Sequence, residues 1–60
     1  MSLRRVTVFY TEDENNLVED IARDYVNDGF SEHAGRTTIW EVDLPPDIIK
    51  RLKEEDIDVF

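Results

Sequence analysis

Sixty residues, 40% of them apolar, predict one small domain with a thin core and no room for a large buried pocket. Fifteen acidic residues against seven basic ones give a formal net charge of −8, which argues against a nucleic-acid backbone or an anionic membrane as direct partner. Without cysteine and with a single histidine, disulfide staples and a zinc cluster drop out, and apolar runs of three residues or fewer leave no transmembrane span or signal segment.

From Leu3 to Tyr10 the residues alternate at period two, which predicts a strand. Val6, Val8 and Tyr10 form the more continuously apolar face and are expected inside; Leu3, Arg5, Thr7 and Phe9 take the other. Thr11-Glu12-Asp13-Glu14 then reads as a helix start: Thr11 caps the free N–H groups, Glu14 completes a capping box, and the carboxylates suit the positive end of the helix dipole. Leu17, Val18, Ile21, Ala22, Tyr25 and Val26 follow at helical spacing, and Gly29 stands where a left-handed terminating residue is expected. The predicted helix therefore spans about Glu12 to Asp28.

Ser31-Glu32-His33-Ala34-Gly35 has loop composition. Alternation resumes from Arg36 to Leu44, with Thr38, Trp40, Val42 and Leu44 on the apolar face of a second strand and Trp40 its main core contribution. Pro45-Pro46 ends it, and Pro46 suits the first position of a helix whose apolar stripe is Ile48, Ile49 and Leu52. The tail, Asp56 to Phe60, alternates again and predicts a short third strand. The expected fold is α+β, a small two-layer β-α-β-α domain at residues 1–60 with a short C-terminal strand. A parallel crossover through the long helix would make it α/β instead. Val6, Val8, Leu17, Ile21, Tyr25, Trp40 and Val42 are the expected core.

The segment Thr38 to Lys53, strand then Pro-started helix, resembles the strand-and-first-helix opening of ribbon-helix-helix DNA-binding proteins. That family needs a second helix, for which few residues remain after Lys53, and Glu41 and Asp43 would repel phosphate where the family reads bases. DNA binding is not carried over.

No residue cluster carries catalysis. His33 lacks a neighbouring nucleophile or further ligands and reads as a solvated loop residue. The acidic groups at residues 12–14 and 54–58 do not follow a calcium-loop pattern, and neither glycine belongs to a phosphate-cradling loop. No enzyme activity, cofactor or metal is expected.

The acidic face of the first helix has more content. With Leu17, Ile21 and Tyr25 inward, Asp13, Asp20 and Asp24 line the outside with Glu19 nearby, and the Asp20/Asp24 repulsion has no evident structural return. Three readings compete: a solvated face, adaptation to high salt (Arg outnumbers Lys five to two), or an anionic surface aimed at a basic protein partner. The reading taken is a small cytoplasmic, non-catalytic interaction protein that covers a basic surface, with a structural or housekeeping module as the alternative and a carboxylate-based enzyme as a distant third. A homodimer is expected as well. Leu3, Phe9, Ile39 and Phe60 remain on the far side of the sheet, where the second helix offers only a narrow stripe to cover them.

Overall fold

A computed structural model describes residues 2–60; Met1 lies outside the described residues. The chain forms β1 (Arg4–Thr11), α1 (Asn15–Ile21) between single 3-10 turns at Glu12–Glu14 and Arg23–Tyr25, β2 (Phe30–Ala34), β3 (Thr37–Leu44), α2 (Pro46–Glu54) and β4 (Asp58–Val59). The strands lie in the order β2-β3-β1-β4, every neighbouring pair antiparallel. β1 and β2 thus run parallel with β3 inserted between them, and β3 and β4 run parallel with β1 between. These are two interleaved β-α-β units, the connectivity of ferredoxin-like arrangements. The class is α+β, and no adjacent pair makes the parallel crossover that α/β would require.

Period-two alternation places Val6, Val8 and Tyr10 of β1 beside Val42, Trp40 and Thr38 of β3, all on one face. Helices α1 and α2 both pack there. Val18 and Ile21 from α1, Ala22 just after it, Ile49 and Leu52 from α2, and Ile57 close one buried cluster with Val6, Val8, Tyr10, Trp40, Val42 and Leu44. The indole of Trp40, only 4% exposed, donates from Nε1 to the Asp28 carbonyl at 2.8 Å and ties the sheet to the exit of the helical stretch.

The single helix expected over Glu12–Asp28 is three short pieces. At Ala22 the backbone leaves the helical region (φ −101°, ψ 35°), and i→i+3 bonds carry the chain on, from the Tyr25 N–H to the Ala22 carbonyl and from the Asp28 N–H to the Tyr25 carbonyl. The chain must turn early because β2 has to return along β3. Gly29, at φ +74°, makes that return against the Glu41 carbonyl oxygen, only 2.1 Å from where a Cβ would stand. The inward stripe is Val18, Ile21 and Ala22, at ordinary helical spacing. Val18 is buried while Leu17 is 36% exposed, and Tyr25 only edges the core, so Leu17 was misassigned by one residue, about 100° of helix rotation.

Ser31–Gly35 is not the expected loop. Residues 30–34 form β2, paired residue by residue with β3 from Phe30↔Glu41 to Ala34↔Thr37. All five of its residues are exposed, because it is an edge strand lying beyond the reach of both helices. A two-residue turn, Gly35-Arg36, closes the hairpin; Gly35 at φ +65° takes the first position, where a type II′ turn calls for glycine.

Pro46 opens α2 as expected. Its end is a Schellman motif: the Ile57 N–H donates to the Leu52 carbonyl at 3.0 Å and the Asp56 N–H to the Lys53 carbonyl at 3.1 Å, with Asp56 left-handed at φ 62°. Ile57 then packs on Leu52, both buried, and β4 follows. The C-terminal strand is present, and its partner is β1. The likeness to a ribbon-helix-helix opening ends here, since β3 is an inner strand of the sheet and α2 leads into β4.

α2 does not cover the far side of the sheet. It shares the layer of α1, so among the described residues no helix lies on the face bearing Phe9 and Ile39.

Candidate functional site

That uncovered face is an organised surface that spans all four strands. The strand registers stack its side chains in rows across all four strands. One row runs Glu32, Ile39, Phe9, Asp58; the next runs Phe30, Glu41, Thr7, Phe60, the last through reciprocal backbone bonds between Thr7 and Phe60 at 2.7 and 2.8 Å. Phe9 and Phe60 meet edge to face, ring centroids 5.6 Å apart and planes at 83°. Phe60 stays 73% exposed and Phe30 77%, while Phe9 and Ile39 are half-buried by their neighbours. Between β2 and β3 the side chains of Phe30, Glu32, Ile39 and Glu41 border a shallow concavity of about 390 Å³.

Carboxylates ring this apolar centre. Glu32 and Glu41 stand beside Ile39 and Phe30, Asp58 beside Phe9, and Asp43 at the far end opposite Arg5. Arg5 is the only cation among these rows and is engaged. Its Nε donates to Asp43 Oδ1 at 2.7 Å, Nη2 to Oδ2 at 3.4 Å, and Glu41 lies at 3.9 Å. The hydrogen bond from Arg5 holds the Asp43 carboxyl below its ordinary range, with the guanidinium charge adding to it; reciprocally, Asp43 raises the Arg5 pKa.

Of the expected homodimer residues, Phe9, Ile39 and Phe60 are brought together on this face. Leu3 lies just ahead of β1 and is exposed. The acidic residues expected to bind a partner lie in the helical layer instead. Asp13 sits in the first 3-10 turn, Glu19 and Asp20 in α1, and Asp24 in the second turn, all exposed. Because these are three separate pieces, they do not form the straight row of one helix. Glu19 adds to burial in raising the pKa of the Tyr10 phenol.

Sequence reasoning passed over Phe30, Glu32, Glu41, Asp43 and Asp58 as members of a surface. The local signal was limited to Gly35-Arg36, a Gly-led two-residue turn ahead of β3. His33 belongs to β2, not to a loop, and its Nδ1 lies 3.1 Å from the Thr38 hydroxyl across the hairpin. Among the described residues no group of three His, Cys, Asp or Glu side chains is placed to hold a metal ion, and no helix is long and apolar enough to cross a membrane. Comparison with family models, with curated proteins and with solved structures gives no match.

Proposed function

We propose that the protein is a small non-catalytic interaction module of the cytoplasm, and that its open sheet face receives a basic, amphipathic surface of a protein partner. One observation carries this: Phe9, Phe30, Ile39 and Phe60 form an uncovered apolar centre set among Glu32, Glu41, Asp43 and Asp58, with a single, already paired arginine. Apolar side chains supply contact area and the acidic rim selects the sign of the partner, which is how charge acts at interfaces. A second identical face is disfavoured, since it would stack four carboxylates on four. Nucleic acid and anionic membrane are disfavoured for the same reason. The acidic residues of the helical layer contribute long-range attraction rather than contact.

The test compares capture of cellular basic proteins by the wild type, by Phe30→Ser/Phe60→Ser and by Asp20→Asn/Asp24→Asn, across a salt series. Both phenylalanines are exposed, so the first variant keeps its fold and is expected to lose capture; the second is expected to keep it. Capture that survives Phe30→Ser/Phe60→Ser and fails with Asp20→Asn/Asp24→Asn would move the site to the helices and reject this reading.

The open edge of β2 favours a second reading, a homodimer. All five β2 residues are exposed, and the strand carries no proline, lysine or arginine to block pairing with another strand. Edge pairing would extend the sheet without bringing the acidic faces together. Sedimentation equilibrium at micromolar concentration decides it, a 7.1 kDa species ruling the dimer out.

A further inference from the structure

Beside its acidic residues, the helical side of the molecule carries one local patch of the opposite sign. Arg4 opens β1 opposite Leu44, and its position in the alternation, shared with Val6 and Val8, places it on the side of the helices. There it borders a groove with Pro46, Ile49, Lys50, Lys53 and Glu54 of α2, about 390 Å³ in volume. Buried Ile49 and exposed Pro46 supply its apolar surface, and Arg4, Lys50 and Lys53 are exposed around it. Lys50 and Lys53, three residues apart on the helix, bring their stems to about 5–6 Å of each other.

Three of the chain's seven basic residues thus gather at one groove, and Glu54 is the only acid among its lining. Acids outnumber bases about two to one, yet among the described residues the only ion pairs are those of Arg5 on the other side of the sheet. Gathering like charges over an apolar floor costs repulsion that an anionic ligand would relieve.

We infer that this groove is a second docking site, one that takes an acidic peptide segment with a central apolar side chain flanked by carboxylates. The apolar residue lies on Ile49 and Pro46, and the carboxylates reach Lys50, Lys53 and Arg4. In an extended segment, alternate side chains point the same way about 6–7 Å apart, so the apolar residue and both flanking carboxylates share one face, and the carboxylates, about 13 Å apart, reach opposite ends of the groove, one to Lys50 and Lys53 and the other to Arg4. Every charged group of the lining is exposed, so a small molecule would keep much of its surface in water, whereas small-molecule sites cover most of theirs. A nucleic-acid strand would bring many phosphates against a chain of charge −8, while a peptide brings two or three carboxylates. The inference goes beyond the open-face reading and does not depend on it.

The experiment is a titration of the 15N-labelled full chain with the capped peptide Glu-Ser-Leu-Ser-Glu at about 0.15 M salt, where screening acts over about 8 Å and leaves the local field of the groove dominant. Saturable amide shifts confined to Arg4 and residues 47–54, half complete at about 1 mM, are expected. The spectrum of Lys50→Glu/Lys53→Glu should stay folded, because both lysines are exposed, and its affinity should fall about tenfold or more. Lys50→Arg/Lys53→Arg should keep binding. Replacing both glutamates of the peptide by glutamine should weaken it to a similar degree. Equal binding of the glutamine peptide, equal binding of free glutamate, shifts centred on the open sheet face, or no saturation by about 10 mM would each overturn the site.

Discussion

The two glycines form a matched pair for testing how the helical stretch is joined to the sheet. Both adopt positive φ, +74° at Gly29 and +65° at Gly35, but a Cβ at Gly35 would meet open space while one at Gly29 would stand 2.1 Å from the Glu41 carbonyl oxygen. Alanine pays the left-handed conformational penalty at either position, about 1–2 kcal/mol. At Gly29 the new methyl also forces the start of β2 away from β3, and overpacking of that kind adds about 1–3 kcal/mol. Gly35→Ala is therefore expected to cost about 1–2 kcal/mol and Gly29→Ala about 2–5 kcal/mol. A chain of this length has a total stability of about 3–9 kcal/mol, so Gly29→Ala should remove a large part of it. Urea unfolding followed by far-UV circular dichroism measures both. Trp40 fluorescence adds a local reading: its indole donates to Asp28, one residue before Gly29, and displacement of that segment should expose the ring and shift emission to the red in Gly29→Ala alone. Equal losses for the two variants, or the larger loss at Gly35, would refute the close approach of Gly29 to Glu41.

Asp56 occupies the left-handed position of the Schellman motif with a side chain that favours neither that conformation nor the negative end of the helix dipole. Asp56→Gly should stabilise the chain by about 0.5–1 kcal/mol, seen as a raised urea midpoint at unchanged slope. The Arg5 hydrogen bond depresses the Asp43 pKa in the folded state, so the pair contributes stability at pH above the unfolded carboxyl value and loses it as pH falls through the folded one. Carbon-13 detected titration should show Asp43 titrating below an ordinary aspartate, and Arg5→Gln should return it toward that range; an unchanged midpoint would mean that the pair does not persist in solution.

The inner faces of β1 and β3, the capping box at Thr11 and Glu14, the Pro46 helix start and the C-terminal strand were all legible in the residue order. Each rests on local physics: period-two alternation of β-branched residues, the unpaired N–H groups of a helix start, and the fixed φ of proline. The bond from the Thr11 N–H to Glu14 Oε1 at 3.0 Å is local in the same sense. The phase of α1 was not legible, because Leu17-Val18 and Tyr25-Val26 are adjacent apolar pairs that fit either of two inward stripes. Only packing against β1, β3 and α2 chooses Val18. β2 was not legible either. An edge strand exposed at every position needs no apolar alternation, so its residues have loop composition, and its extended form comes from hydrogen bonding to β3 and from the turn at Gly35-Arg36. The same holds for both candidate surfaces. Which side of the sheet α2 covers is decided by crossover handedness: β1 to β2 and β3 to β4 step in opposite directions across the sheet on oppositely directed strands, so two right-handed crossovers put both helices in one layer. That choice leaves Phe9, Ile39, Phe30 and Phe60 uncovered on one side and brings Arg4 to Lys50 and Lys53 on the other. Neither pairing is local in sequence, so only the tertiary structure decided it.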